Sequence, residues 1–449
     1  MTKDDIQSGG RILIIAYHFP PCVGSSGLLR SLKYSRYLSD YGWQPCVLSL
    51  RPSAYEAVDS RTERSIPASV PVIRAFAFDA KKALSFRGFY LDLMAMPDRW
   101  WSWTVGAIPA GLRAIRKHDI TVIFSTFPIS TAVVIGLLLH ILTGKPWVVD
   151  FRDSMTEENY PPNPMRRYIW RWIERQAVRR ACRLIFTSPS TLKMYLSRYP
   201  QLAAAKCLLI PNGFDEEDFS SLAIEKPACA RQQQEPLKLL HTGLIYPDER
   251  DPRPFFHALH RLKKNGSVDS GSLNVLLRAS GSEALYQPIL NDLDISDVVQ
   301  LLPHIPYNQA LEECAHADGL LLFQAANCDH QTPAKAYEYL RLRKPVLALT
   351  TQSGDTAALL REVGGATILD LADEDAICAG LPGFLECLRN GSHPLPNADK
   401  IKRYDRRAQA RQLAICLSDV QKELGRPDTH ARSYSVDGAG EAPARSELS

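Results

Sequence analysis

Short apolar segments alternate with longer segments of mixed polarity along most of this chain. In the first half, the apolar segments predict strands at residues 11–16, 45–50, 70–76, 121–125, 147–151 and 184–187. The segments between them predict helices at about 27–41, 106–117, 131–143 and 165–183. Most of these strands are continuously apolar rather than alternating, so we expect a parallel sheet that helices cover on both faces.

The second half repeats the alternation. Strands are predicted at 237–241, 273–279, 298–302, 319–323 and 345–349, and helices at 251–264, 307–315 and 334–342. The sequence therefore predicts an α/β protein of two doubly wound, Rossmann-like domains that face each other across a cleft.

The domain limits follow from changes in composition. We place the N-terminal domain at residues 1–205 and the C-terminal domain at 206–400, followed by a helix at 401–424 that packs back toward the first domain. The polar stretch 225–235 is expected to be a linker. The tail at 425–449, rich in Ser, Ala, Gly and charge, is expected to be disordered.

Composition excludes several classes of protein. The 449 residues exceed one typical core, and 45% hydrophobic with 23% charged residues is typical of a globular protein. A net charge of +4 does not indicate nucleic-acid binding. The longest apolar run, 131–143, is shorter than the ~20 residues that span a bilayer, and the polar N-terminus does not resemble a signal peptide.

Cysteine usage points to a reducing compartment. The ten cysteines are scattered without a CxxC pair, so neither a zinc site nor a disulfide framework is expected. Reduced cysteines are typical of the cytoplasm, where we expect this protein to be located.

The segment TPAKAYEYLRLRKPVLAL (332–349) carries the most informative chemistry. It predicts a loop, a short helix and a buried strand. Lys335 and Glu338 lie three residues apart and share one face of that helix. A cation and a carboxylate at a helix N-terminus suit a ligand that carries both phosphate and sugar hydroxyls. The structural alternative is an ordinary surface salt bridge.

Two glycine-containing loops follow predicted strands. In HTGLIYPDER, Gly243 ends a strand and Arg250 precedes a helix, so the pair could hold a diphosphate; a solvated basic loop is the alternative. In the loop 17–30, Gly24 and Gly27 would let a bound group approach the backbone, although a plain turn explains them equally well. The loop lacks the GxGxxG dinucleotide fingerprint.

The motif VVDFRDSM places Asp150, Arg152 and Asp153 at the carboxyl end of a strand, where ligands bind in doubly wound sheets. The two carboxylates could orient an acceptor hydroxyl or stabilise positive charge on a sugar carbon. The alternative is a helix cap together with a structural ion pair.

Three other segments have less specific interpretations. The predicted helix 165–183 carries seven arginines against one glutamate, with aromatic residues among them, which suits docking on anionic lipid or an ordinary solvated face. The tryptophans within 98–109 suit an aromatic acceptor site or a packed interface. The Asn-Gly turn at 210–215 indicates interdomain geometry rather than chemistry.

These motifs together resemble the retaining glycosyltransferases of family 4, the group 1 enzymes with the GT-B fold. The resemblance is carried by the order and spacing of FPP..G..G (19–27), PWVVDFRD (146–153), IPNGFD (210–215), HTGLIY (241–246) and the segment 332–349. It is strongest for the bacterial branch that builds exopolysaccharide, capsule or O-antigen.

The resemblance implies a nucleotide-sugar donor, UDP-linked rather than GDP-linked, bound mainly by the second domain. Glu338 would accept hydrogen bonds from the ribose. Lys335 and Arg250 would neutralise the diphosphate beside Gly243, and Gly24 would approach the phosphate or the sugar. No metal is expected, because helix dipoles and cationic side chains can stabilise the leaving group.

The acceptor would lie against the first domain, with Asp150 or Asp153 as the candidate catalytic carboxylate and retention of anomeric configuration. A lipid-linked or oligosaccharide acceptor implies peripheral contact with the inner face of the plasma membrane. Three positions depart from the family pattern: His330 replaces a glutamate, Leu244 an arginine, and Arg152 a histidine. An epimerase of the same fold and a catalytically silent nucleotide-binding scaffold are the competing interpretations.

Overall fold

The computed structural model describes residues 9–23, 27–83, 95–220, 222 and 235–425. Within these ranges the chain forms two parallel sheets, one of seven strands and one of six. The predicted linker, apart from Glu235, and the predicted tail beyond residue 425 lie outside the described residues. The prediction of two doubly wound α/β domains is confirmed.

The first sheet has the strand order β3-β2-β1-β4-β5-β6-β7. Its strands are β1 (Arg11–Ile15), β2 (Gln44–Leu50), β3 (Val72–Ala75), β4 (Val122–Phe127), β5 (Trp147–Phe151), β6 (Arg183–Phe186) and β7 (Cys207–Leu209). The helices of this half are α1 (Gly27–Tyr37), α2 (Ala80–Ala83), α3 (Trp103–Lys117), α4 (Ser130–Thr143), α5 (Pro164–Arg180), α6 (Pro189–Arg198) and α7 (Glu216–Phe219). The order reverses between β1 and β4, which is the switch point where ligands bind in such sheets.

The second sheet has the order β10-β9-β8-β11-β12-β13. Its strands are β8 (Leu237–Thr242), β9 (Leu273–Arg278), β10 (Val299–Leu302), β11 (Gly319–Phe323), β12 (Val346–Leu349) and β13 (Ala366–Leu369). The helices are α8 (Arg253–Lys264), α9 (Glu283–Asp292), α10 (Tyr307–His316), α11 (Ala334–Leu342), α12 (Asp355–Val363), α13 (Glu374–Arg389), α14 (Ala398–Ile401) and α15 (Arg406–Gly425). Here the switch point lies between β8 and β11.

Several elements differ from the sequence prediction. Strands β5 and β11 and helix α11 have the predicted limits, whereas β7, β13, α6, α9, α12 and α13 were not predicted. Strand β7 is only three residues long and only partly buried, yet it pairs with β6. The first sheet therefore continues beyond the predicted domain limit at residue 205.

The last helix belongs to the core of the first domain. On α15, Leu413, Leu417 and Val420 are buried against Ile12 and Ile14 of β1. The chain thus passes from the first domain into the second and then returns.

The two crossings of the chain lie side by side. Phe214 N donates to the carbonyl of Tyr404 at 3.2 Å, and Arg406 N donates to the carbonyl of Phe214 at 2.8 Å. A methyl group added to Gly213 would lie 1.9 Å from the Tyr404 carbonyl oxygen, so the turn needs glycine for this close approach. The predicted interdomain role of this turn is confirmed.

The apolar helix α4 is a core helix, as its sequence predicts. Residues such as Val133, Ile135 and Leu139 are fully buried. No helix within the described ranges is long and apolar enough to cross a membrane. Trp100 and Trp103 are also buried in this core, so they pack the first domain rather than line an open acceptor site.

Candidate functional site

A half-buried lysine lies at the switch point of the second sheet. Lys335, in the first turn of α11, places its Nζ 3.0 Å from Nε2 of His241 at the end of β8. A methyl group added to Gly243 would lie 3.3 Å from the same Nζ. Gly243 has φ of +93°, a backbone conformation that favours glycine. The structure therefore brings the predicted lysine and the predicted glycine together at one sheet edge.

His241 supports this lysine as a neutral acceptor. Its Nδ1 lies 2.8 Å from the carbonyl oxygen of Leu321, whereas Nε2 lies 3.2 Å from that of Gly243, so we assign the ring proton to Nδ1, which makes the shorter contact. The lone pair of Nε2 then faces Lys335. Burial, followed by the charge of Lys335, lowers the pKa of His241 well below its ordinary value.

The positive charge of Lys335 has little opposing charge around it. Burial, reinforced by the charge of Arg250, lowers the pKa of the Lys335 ammonium well below its usual range, although Glu338 opposes this. None of the ion pairs in the described part of the chain includes Lys335. An anionic ligand would supply the missing counter-charge.

Glu338 lies one turn further along α11. Its Oε1 accepts a hydrogen bond of 2.8 Å from the hydroxyl of Tyr307, the first residue of α10. Burial raises the pKa of Glu338 to about 7, against the opposing effects of the Tyr307 hydrogen bond and the charge of Arg406. Arg406 is 2% exposed, and burial together with the nearby Arg30 lowers its pKa to about 10.

Arg250 belongs to the same edge. Its Nη1 donates to the carbonyl of Leu244 at 2.7 Å, and its guanidinium lies 5.2 Å from the ring centre of Tyr246. Four predicted donor-site residues, Gly243, Arg250, Lys335 and Glu338, are therefore grouped at the carboxyl edge of the second sheet. The fifth, Gly24, lies outside the described residues.

Asp150, one of the two predicted catalytic carboxylates, forms a buried ion pair. Both of its oxygens accept hydrogen bonds of 2.9 Å from Arg30 of α1, and each residue is only 1% exposed. Thr126 donates to it as well, at 3.2 Å. Asp150 therefore forms a structural ion pair, and Asp153 is the better placed of the two predicted carboxylates to meet a ligand.

The same arginine fixes the junction between the domains. Arg30 also donates to the carbonyls of Ile210 and Pro211, at 3.1 and 2.9 Å. The ion pair therefore joins β5, α1 and the interdomain turn in one buried network.

Asp153 remains the candidate catalytic carboxylate. It is half-buried at the mouth of the cleft, and burial raises the pKa of its carboxyl group, with Arg152 acting in the opposite direction. Its neighbour Arg152 is 8% exposed and donates from Nε to the carbonyl of Phe127 at 2.8 Å.

A cross-domain ion pair closes the cleft beside Asp153. His330 Nε2 lies 2.9 Å from Oε1 of Glu157, which follows β5. Burial lowers the pKa of His330, but the hydrogen bond and charge of Glu157 outweigh it and raise that pKa above its ordinary value. Glu157 thus brings a carboxylate of the first domain against residue 330 of the second.

A second set of contacts holds the domains together nearby. The carboxylate of Asp355 accepts from the backbone N–H of Ser190 at 2.9 Å and from its hydroxyl at 2.8 Å. Thr191 donates to the carbonyl of His330 at 2.8 Å. Sequence reasoning missed these contacts and the roles of Arg30, Tyr307, Glu157 and Arg406, because each depends on residues far apart in the chain. Within the described ranges, no group of three potential ligating His, Cys, Asp or Glu side chains forms a metal site.

Comparisons with known proteins agree with this architecture. Residues 34–218 match the sequence profile of Glycosyltransferase Family 4. The sucrose-phosphate synthase of Thermosynechococcus elongatus is 14% identical with a TM-score of 0.64, covering 92% of this chain and 100% of that one. The Anabaena protein HepE, solved with UDP and glucose, is 15% identical with a TM-score of 0.61, covering 91% and 100%.

The chain has the GT-B fold. A UDP-N-acetylglucosamine 2-epimerase also shares this fold, at 12% identity and a TM-score of 0.54, covering 95% of this chain and 99% of that one. No curated protein matches the sequence. The GT-B fold accounts for two facing sheets whose switch points meet across one cleft, and the profile match spans most of the first domain.

The Arg30–Asp150 pair predicts a large effect on stability. We expect Asp150→Ala to lower the free energy of unfolding by about 3–5 kcal/mol, because it leaves the Arg30 guanidinium buried without its counter-charge. All seven tryptophans lie within residues 43–172, so tryptophan fluorescence during urea unfolding reports on the first domain.

The control is Glu423→Ala, which removes the more exposed carboxylate paired with Arg183 and should cost about 0–1 kcal/mol. The double variant Arg30→Met, Asp150→Leu should recover much of the loss, because it removes both buried charges. An effect of Asp150→Ala no larger than that of Glu423→Ala would contradict the anchoring role.

Proposed function

We propose that this protein is a glycosyltransferase that moves a sugar from a nucleotide-sugar donor to an acceptor hydroxyl. The observation that carries the proposal is the half-buried Lys335 beside Gly243, which forms no ion pair within the described residues, with Glu338 one turn away. This arrangement offers a cation for a diphosphate and a carboxylate for sugar hydroxyls. The family 4 match and the HepE structures with UDP and with UDP-glucose support it.

The donor would lie along the edge of the second sheet. Its diphosphate would take Lys335 and Arg250 as counter-charges, with the backbone at Gly243 allowing close approach and the N-terminus of α11 adding its dipole. Glu338 would accept hydrogen bonds from the ribose. A UDP-linked donor is the first choice and a GDP-linked donor the second. The protein's own cations would neutralise the negative charge of the leaving diphosphate.

The acceptor would bind against the first domain. In the proposed reaction, the bond from the anomeric carbon to the diphosphate oxygen breaks and the acceptor oxygen bonds to the same face of that carbon, with retention. The acceptor proton passes to the departing diphosphate oxygen. Lys335 stabilises the charge that develops there, and Asp153 orients the acceptor hydroxyl.

The acceptor class follows from helix α5. Met165, Tyr168 and Trp172 are 56%, 68% and 49% exposed, and Arg171 and Arg175 are exposed on the same helical face. Apolar and aromatic side chains among arginines suit the surface of an anionic bilayer. We therefore propose a lipid-linked or oligosaccharide acceptor, reached from the cytoplasmic face, in the synthesis of cell-surface polysaccharide.

An epimerase is the alternative that the fold similarity favours. An epimerase would convert the sugar of the donor without any acceptor. The product of the reaction separates the two functions.

The proposal predicts nucleotide release that depends on acceptor. We expect UDP- or GDP-sugars to release nucleotide only when a bacterial membrane extract is added, and Lys335→Gln to lower turnover about 100-fold or more. The matched control Lys264→Gln changes an exposed lysine of α8 and should keep full turnover. Release without extract would indicate a hydrolase, an isomerised donor an epimerase, and no release with any donor a silent scaffold.

The role of Glu338 predicts a specific pH dependence of donor binding. Because the carboxylate is the form that accepts ribose hydrogen bonds and its pKa is about 7, affinity for UDP-glucose should fall as pH decreases from 8 to 6. The limit is about tenfold per pH unit below the pKa. Isothermal calorimetry measures this directly.

Glu338→Gln should bind UDP-glucose weakly at pH 8 and lose most of the pH dependence, whereas Glu312→Gln on α10 should behave like the wild type. If Glu338→Gln keeps the full pH dependence, another group such as His330 is responsible and the ribose assignment is wrong.

The exposed face of α5 predicts binding to anionic vesicles. We expect co-sedimentation with phosphatidylglycerol-containing vesicles, weakened by salt. One double variant combines Tyr168→Ser with Trp172→Ser, and a second combines Arg171→Glu with Arg175→Glu. Each should lose most of the binding. Lys264→Glu, Lys422→Glu is the control for net charge. Equal binding to neutral vesicles, or unchanged binding by both α5 variants, would contradict the docking surface.

A further inference from the structure

The switch point of the first sheet also holds a buried cation. The guanidinium of Arg152 reaches from the end of β5 to the edge between β1 and β4. Its Nε binds the carbonyl of Phe127, the last residue of β4, at 2.8 Å, and its Nη2 lies 3.4 Å from Nδ1 of His18, just beyond β1. In open α/β sheets this edge is where ligands bind.

The third nitrogen of this guanidinium is unsatisfied. Nη1 of Arg152 is buried, and among the described residues it makes no hydrogen bond and Arg152 forms no ion pair. Asp150 precedes Arg152 by two residues on β5, but both of its carboxylate oxygens accept hydrogen bonds from Arg30. Asp153 offsets part of the charge without forming an ion pair. A buried cationic donor without a partner lowers the stability of the fold unless an anion accepts its hydrogen bond.

Helix α1 begins directly against the same nitrogen. A methyl group added to Gly27, its first residue, would lie 1.8 Å from Nη1 of Arg152, so the position accommodates only glycine without a shift of the guanidinium. The helix is 11 residues long and has no acidic residue in its first turn. Its N-terminus therefore adds a favourable dipole for an anion at the place where Nη1 lacks a partner.

Each domain places a cationic side chain beside a helix N-terminus at the switch point of its sheet. In the second domain, Lys335 lies in the first turn of α11 at the β8–β11 switch point, without a carboxylate partner within the described residues. In the first domain, Arg152 lies beside the first turn of α1 at the β1–β4 switch point. One such site suffices for the donor diphosphate, which leaves the other for a second anionic group.

We propose that Arg152, His18 and the start of α1 at Gly27 form a binding site for a phosphate group of the acceptor. We call this the Arg152 site. The proposal rests on the proposed transferase function and specifies its acceptor as phosphorylated. The guanidinium of Arg152, the imidazole of His18 and the dipole of α1 converge from three elements, which suits the several oxygens of a phosphate. Asp153, the next residue after Arg152, would meet the hydroxyl of the same molecule.

The charge balance of the site supports an anion rather than a neutral group. Burial, with the neighbouring Arg152, lowers the pKa of His18 to about 3, so the imidazole is neutral and hydrogen-bonds without adding charge. Arg152 and the α1 N-terminus supply the positive potential, and Asp153 limits it.

A thermal-shift experiment with two probes tests the proposal separately from the transferase function. The protein is saturated with UDP, and inorganic phosphate is then added at constant ionic strength, with chloride as the comparison. A ligand that binds only the native state raises the melting temperature with occupancy, so phosphate should add a second increment. Absence of that increment in the wild type would overturn the Arg152 site. Failure of UDP or GDP to give any first increment would instead count against the proposed donor site.

Variants assign each increment to one domain. Arg152→Gln should lose the phosphate increment and keep the UDP increment, which also shows that it is folded, whereas Lys335→Gln should do the reverse. Gly27→Ala approaches the site from α1 and should likewise lose the phosphate increment alone. Retention of the phosphate increment in both Arg152→Gln and Gly27→Ala would disprove the assignment.

Organic anions then identify the class of acceptor. A hexose 6-phosphate and farnesyl phosphate, added to the UDP-bound protein, represent a phosphosugar and a lipid phosphate, and glucuronate represents a carboxylate. Stronger stabilisation by one of the phosphates than by inorganic phosphate, lost in Arg152→Gln, supports the proposal and names the source. Stronger stabilisation by glucuronate than by both would replace the phosphate assignment with a carboxylate.

Discussion

The buried pair of Arg30 and Asp150 is the interaction on which the remaining geometry depends. It joins the end of β5 to α1, and through the carbonyls of Ile210 and Pro211 it holds the turn by which the chain leaves the first domain. Because α1 is fixed in this way, its first residue stays against Arg152. The position of the interdomain turn and the shape of the first switch point are therefore set by one satisfied pair of charges.

The contrast between satisfied and unsatisfied charges separates structural residues from candidate functional ones. Asp150 and Arg152 are two residues apart, yet Asp150 has all the partners that a buried carboxylate needs and Arg152 retains a nitrogen without one. In the second domain, Lys335 contacts a neutral histidine instead of a carboxylate. A fold that leaves two cations incomplete at facing switch points has the charge distribution expected for binding anions from both sides of a cleft.

Local patterns predicted what depends on local spacing. The apolar strands gave the two doubly wound sheets, and the three-residue spacing of Lys335 and Glu338 correctly placed them on one face of α11. Local spacing did not reveal the partner of Asp150, because that cation, Arg30, lies 120 residues away in the sequence. Tyr307 and Glu338 form a hydrogen bond although they lie 31 residues apart in the sequence, and His330 pairs with Glu157 of the other domain. Helices α9 and α13 contain proline, which weakened their helical signature.

The return of α15 to the first domain has a consequence for how the molecule is assembled. Part of the cover over the face of β1 that carries Ile12 and Ile14 comes from residues beyond 405, so the N-terminal domain is discontinuous and is completed only after the C-terminal domain has been synthesised. The chain also crosses between the domains at two adjacent, hydrogen-bonded segments rather than one. Two adjacent, hydrogen-bonded connections restrict twisting of one domain against the other more than a single connection would, so the chain path itself limits how the two switch points can be displaced.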